Sequence, residues 1–152
     1  DISVHLLLVG RMDAEKLDRR IERSPVRDRI HRTGFVSNAA ELTAACDVFC
    51  MPSTKREGLS RAIIEAMVYR VAPVVTDAGG SPELVVDGDS GFVVPRRDAQ
   101  GLADAIEQLY RDDELRKQMG DAARERIATA FRHEDTVLKT FALYEELVPD
   151  PD

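Results

Sequence analysis

Residues 47 to 76 read DVFCMPSTKREGLSRAIIEAMVYRVAPVVT, a stretch bracketed by two short apolar runs. Asp47 to Met51 (DVFCM) and Pro73 to Thr76 (PVVT) are too short for buried helices. They are nearly continuous in apolar character, as in parallel strands covered on both faces. Pro52 punctuates the end of the first run. Ser60 is placed as an N-cap for a helix from about Arg61 to Tyr69. Strand, loop, helix and strand in succession make a βαβ unit, and such units build parallel sheets with helices on their faces.

The same alternation continues in both directions. Val4 to Val9 (VHLLLV) reads as a buried strand ending at Gly10. A charge-dense helix follows over residues 13 to 23, and Pro25 stops it. Arg29 to Phe35 (RIHRTGF) reads as a less apolar strand nearer an edge, and Asn38 caps a helix running to about Ala45. Beyond Thr76, Ser81, Pro82 and Glu83 have the roles of N-cap, first-turn proline and first-turn acid of a short helix. Gly91 to Val94 (GFVV) is a fifth strand. Leu102, Ala105, Ile106 and Leu109 behind Asp98 make one helical stripe. Leu115, Met119, Ala122, Ala123 and Ile127 make a second, and Val137, Phe141 and Tyr144 a third. The expected fold is α/β: a Rossmann-like parallel sheet with helices on both faces, forming a single domain over residues 1–152. Ligands in such sheets bind beyond the carboxyl ends of the strands. That rule directs attention to Gly10 onward, to Pro52–Ser60 and to Asp77–Ser81.

A chain of 152 residues can bury a real core, and 43% apolar with 32% charged residues is a globular profile. No apolar run approaches the length of a membrane span. The opening DISVHLLLVGRM lacks the pattern of a signal peptide, so a cytoplasmic location is expected. A net charge of −7 argues against nucleic acid as a partner. It leaves a phosphorylated small molecule open, because helix N-termini and local arginines hold phosphate on acidic proteins. Cys46 and Cys50 sit in apolar company and read as small core residues, without a second Cys/His cluster to complete a metal site. His5, His31 and His133 are far apart in sequence, and nothing there requires them to meet.

The helix from Arg61 is apolar around most of its circumference, and Glu65 is the only acid inside it. A buried carboxylate needs a partner. Arg61 stands one turn earlier, but Arg before Glu at this spacing is the weaker orientation and accounts for Glu65 poorly. A ribose diol accounts for it better, since one carboxylate accepts hydrogen bonds from two adjacent hydroxyls. The free amides near Arg61 and Ala62 would receive phosphate oxygens. Glu57 would face whatever lies beyond the phosphates, with Gly58 giving the backbone room for close approach.

The ordered set DVFCMPS, EGLSRAIIEAM with its E-x7-E spacing, and PVVTDAGGSPELVVDGDSGFVVP closely resembles retaining glycosyltransferases of the GT-B fold, group 1 (family 4). RIHRTGFVSNAAEL, LADAIEQLYRDDELRKQMG and FRHEDTVLKTFALYEEL fit the same pattern, so the resemblance covers essentially the whole chain. It implies the carboxyl-terminal, donor-binding half of a two-domain enzyme, with the first strand and the amino-terminal, acceptor-binding domain absent. It implies that Glu65 binds the ribose of a nucleotide-sugar donor and that Glu57 is the catalytic-site acid touching the transferring sugar. Gly58, Leu59, Ser60, Arg61 and Ala62 would hold sugar and diphosphate, and Phe35, Val36 and Ser37 would line the base. The family retains anomeric configuration without a metal held by Asp-x-Asp, so no metal and no cofactor beyond the donor are expected. The half alone is expected to be inactive, and peripheral attachment to a membrane would belong to the full-length protein.

Two departures stand out. Arg11 and Lys16 imitate the family's phosphate-gripping Arg/Lys pair; the spacing from Gly10 to Gly34 favours a pair further upstream, and whether Arg11 and Lys16 replace it stays open. Arg70 stands where the family carries a helix-closing glycine, so either it tolerates a left-handed backbone or the turn is built differently. A sugar-nucleotide epimerase on the same architecture and a non-catalytic interaction domain are the alternative readings. The sequence does not specify base, sugar or acceptor.

Overall fold

The computed structural model describes residues 3–11, 14–55 and 58–148. The chain divides after Glu41 into two compact units. In the first, β1 (Leu6–Val9) pairs in parallel with β2 (Ile30–Gly34) through a crossover containing α1 (Ala14–Glu22) and a 3-10 turn at Arg27–Arg29. The middle of β2 is exposed, as its polar sequence led one to expect. Leu6 is in register with Ile30, so His5 and His31 fall on one diagonal of the sheet face. Their rings stack, with Nδ1 of His5 3.0 Å from Nε2 of His31. Sequence distance had hidden this contact; parallel register creates it.

The second unit contains β3 (Val48–Met51), β4 (Ala72–Thr76) and β5 (Phe92–Val94), all parallel in the order β3-β4-β5. The five expected strands therefore form as a two-stranded and a three-stranded sheet instead of one continuous sheet. The helices α2 (Ala39–Ala44), α3 (Arg61–Val68), α4 (Ser81–Leu84), α5 (Ala99–Arg111), α6 (Asp113–Ala130) and α7 (His133–Leu147) complete the chain. Every residue of β4 is buried. Alternation along the strand sends Val75 into a cluster with Ile63, Met67, Leu84, Val85 and Ala123. Ala72 and Val74 enter another, with Val94, Ala105, Leu109 and Met119. The three-stranded sheet thus has a helical layer on each face, which is the Rossmann-like arrangement.

Local signals set several boundaries. Asp98 accepts from the Gly101 amide at 2.9 Å and Asp112 from the Leu115 amide at 2.9 Å, capping α5 and α6. The short helix α4 starts one residue earlier than expected: Gly80 is the cap and Ser81 the first helical residue. Asn38 precedes α2, but its amide donates to the Glu41 carboxylate at 2.5 Å.

The end of α3 resolves the question posed by Arg70, which adopts the left-handed conformation with φ of 61°. Val71 N–H reaches the Ala66 carbonyl at 3.0 Å and Arg70 N–H reaches Met67 at 3.1 Å, the paired bonds of a Schellman closure. Helix α6 supports the strained residue. Asp121 accepts from the Arg70 guanidinium at 2.8 Å, and Arg124 donates to the otherwise open Val68 carbonyl. A side chain at Gly120 would collide with the Arg70 carbonyl oxygen, so the helix approaches this turn only because Gly120 has none. Gly120→Ala is expected to lower unfolding stability by about 2 kcal/mol, as overpacking against backbone does, read as a lower urea midpoint with unchanged m-value.

Both cysteines are free and half-buried, as the core reading expected. Burial pushes the Cys50 thiol up from 9.0 to about 11. A thiol harder to ionise in the folded state contributes stability below the unfolded value, and that contribution is lost as pH rises through the folded one. Stability should therefore fall between about pH 9 and 11, with a slope that Cys50→Val reduces in pH-dependent urea unfolding.

Candidate functional site

The loops that follow β3 and β4 meet at the start of α3. The Thr76 hydroxyl, at the end of β4, donates to the Ser53 carbonyl at 2.6 Å and ties the two strand ends together. A Cβ at Gly80 would stand 3.0 Å from the Gly58 carbonyl oxygen and 3.0 Å from Leu59 Cδ2. The two glycine loops therefore touch backbone to backbone. Asp77 is held by the backbone N–H and Nε of Arg96, at 2.9 and 3.0 Å. These contacts fix the position of the Gly58–Ser60 segment over the start of α3.

Ser60 occupies the N-cap position in extended conformation, but its side chain makes no capping hydrogen bond. The first backbone bond of the helix runs from Ile64 N–H to the Ser60 carbonyl at 3.1 Å. The amides of Arg61, Ala62 and Ile63 come before it and have no intrahelical acceptor. The first turn carries no acid, so the positive end of the helix dipole is uncompensated there. Chemically, this helix end is prepared for an anion.

Glu65 departs from expectation. Helix α3 buries Ile63, Ala66 and Met67, but Glu65 lies beside that stripe with 32% of its side chain exposed. Its carboxylate accepts from Arg61 Nη2 at 3.1 Å, the intrahelical pair judged weak from sequence. Desolvation therefore does not by itself demand a ligand at Glu65. The apolar residues of α3 include half-buried ones, Ala62, Ile64 and Val68, which made its buried face look wider than it is.

Gly58, Leu59, Ser60, Arg61, Ala62 and Glu65 are thus brought together on one loop and one helix. Glu57 lies outside the described residues. Phe35, Val36 and Ser37 belong to the first unit, in the turn after β2. Phe35 is 69% exposed, and the Arg11 guanidinium lies 5.2 Å from its ring centroid. Arg11 is therefore engaged with the Phe35 ring, whereas Lys16 belongs to the face of α1. The contact between Gly58 and Gly80 was not foreseen, although the Gly79-Gly80 pair marked the loop that makes it.

Residues 1–126 match the family described as glycosyl transferases group 1. Over 153 aligned residues the chain is 33% identical to N-acetyl-alpha-D-glucosaminyl L-malate synthase of Bacillus anthracis, covering 99% of this chain and 39% of that protein. It is 32% identical over 127 residues to phosphatidyl-myo-inositol mannosyltransferase of Mycolicibacterium smegmatis, covering 82% of this chain and 32% of that one. Among solved structures, Anabaena HepE in complex with UDP superposes with a TM-score of 0.83 at 29% identity, over 95% of this chain and 41% of HepE. Its complex with UDP-glucose gives a TM-score of 0.83 at 28% identity. The chain thus spans between about a third and two fifths of the length of these relatives, the share of one Rossmann-like half of the GT-B fold.

The Arg61–Glu65 pair is exposed on the arginine side, where such pairs contribute little. Arg61→Ala should change unfolding stability by less than about 0.5 kcal/mol, measured by urea titration, while freeing the Glu65 carboxylate.

Proposed function

The chain belongs to the glycosyl transferases group 1, and we propose that it is the donor-binding half of a retaining enzyme transferring sugar from a nucleotide-sugar to an acceptor hydroxyl. The observation that carries this reading is the anion-ready start of α3 under the Gly58–Gly80 contact, with Glu65 one turn further on. The amides of Arg61 and Ala62 take the diphosphate, and Gly58, Leu59 and Ser60 lie against phosphate and sugar. Glu65 releases Arg61 and accepts the ribose hydroxyls. The freed guanidinium then remains close to the phosphates, so one rotation serves both ends of the nucleotide. Glu57 contacts the transferring sugar. The diphosphate charge is met by helix amides and Arg61, without a metal.

HepE has been solved in complex with UDP and with UDP-glucose, which supports a nucleotide donor for this chain as well. Catalysis requires groups on both sides of the reacting centre, because only interactions strengthened in the transition state raise the rate. An amino-terminal domain must supply the acceptor side, and the isolated half is not expected to turn over.

Titration with UDP tests the donor site by amide NMR. Saturable shifts at residues 58–62 and 65 are expected. Glu65→Ala should weaken binding at least tenfold, since hydrogen bonds to a charged group are each worth about 1.5–3 kcal/mol. Its partial exposure predicts an unchanged fold. Shifts confined to other residues, or undiminished affinity in the variant, would remove Glu65 from the role.

A further inference from the structure

A set of clustered cations lies on α1, in the first unit. Lys16, Arg19 and Arg20 project from the helix and Arg23 from the residue after its last turn. The spacing i, i+3, i+4, i+7 puts all four on one face. Together they line a concavity of about 330 Å³. Leu17 and Ile21 are half-buried on another face and attach the helix, so the cations are not needed to anchor it.

Charge makes the arrangement unusual for this chain. The protein carries net −7, yet eight of its 21 Lys and Arg residues fall between Arg11 and Arg32, together with five of its 28 acids. Like charges one turn apart repel. A merely solvated helix face relieves this with intrahelical pairs, and the sequence offers them: Glu15 stands four residues before Arg19, and Glu22 precedes Arg23. Neither pair forms. Among the described residues, none of the four cations makes an ion pair, while Asp18 is taken by Arg32. Three of the four are arginines, whose planar forks match phosphate oxygens two at a time. Among the described residues, only these four cations line the concavity, so clustered negative charge is the chemistry that matches it.

We propose that Lys16, Arg19, Arg20 and Arg23 form a binding site for a phosphate-rich anion, separate from the donor diphosphate site. The shared chemistry is two or more phosphate groups within reach of one helix face, offered by a free polyphosphate ester or by anionic phospholipid headgroups.

Tripolyphosphate is the probe for a free anion, and vesicles of phosphatidylglycerol in phosphatidylcholine, against phosphatidylcholine alone, are the probe for a headgroup. The 152-residue chain is titrated with each, followed by amide NMR for the first and co-sedimentation for the second. Saturable shifts at residues 15–24 are expected, with binding that weakens steeply as salt is raised. Arg19→Gln/Arg23→Gln should weaken binding at least tenfold. Lys117→Gln/Lys139→Gln, which removes the same charge elsewhere, should change it less than twofold. All four side chains are exposed, and Arg20→Gln alone, expected to weaken binding severalfold, guards against any folding effect of the double change. Binding of tripolyphosphate assigns a free ligand, and binding to anionic vesicles alone assigns a headgroup. Equal losses in the two double variants would overturn the site, as would shifts only at residues 58–65 or no saturable binding of either probe. Shifts at 58–65 would still leave the donor reading intact.

Discussion

The complete burial of β4 is the constraint on which the second unit depends. A strand covered on both faces must be apolar or have its polar groups paired, as Thr76 is, and its alternation divides the core into two clusters. Val75 faces the layer of α3, α4 and α6; Val74 faces the layer of α5 and α6. Because β4 lies between β3 and β5, moving it by one residue would exchange the two faces and empty both clusters. That register in turn sets where Thr76 ends, and Thr76 holds Ser53.

The candidate site follows from this order of dependence. Strand ends fix loop starts, and loop contacts fix the start of α3. Gly58 and Gly80 approach more closely than side chains would allow, so the two loops behave as one supported edge. The opposite end of α3 is fixed just as firmly. The Schellman closure at Arg70, the Arg124 donor and the missing side chain of Gly120 press that end against α6. A helix held at both ends presents its free amides in one geometry, which is what recognition of a directional acceptor requires. The φ of 61° at Arg70 is thus a local cost sustained by contacts from a helix fifty residues further along the chain.

Strands β1, β3 and β4 were legible because largely apolar runs of four or five residues between turn signals have few other interpretations. Asp98 was legible because capping is local chemistry. Other features depended on information a linear reading lacks. The width of the buried face of α3 was overestimated from apolar count, since Ala62, Ile64 and Val68 are only partly covered. Glu65 consequently looked more buried than it is, and its pairing with Arg61 was undervalued. The meeting of His5 and His31 depends on strand register, and the contact of Gly80 with Gly58 on the crossing of two loops. Residue identity marks such positions without naming their partners.

The two proposed anion sites rest on physically different groups. At α3 the attracting groups are backbone amides, short in range, fixed in direction and nearly indifferent to the sign of the surrounding surface. They need a ligand of definite shape, and the carboxylate at Glu65 can stand one turn away without opposing it. On α1 the attracting groups are flexible cations whose field extends over about a Debye length, roughly 8–10 Å at moderate salt. Such a field gathers anions before any geometry is satisfied, and it is strongly screened by salt. The amide site therefore suits selection of one ligand, and the cationic face suits capture of a class of ligands. Lys16, Arg19, Arg20 and Arg23 share one face of α1, so their fields add there although the chain as a whole is acidic.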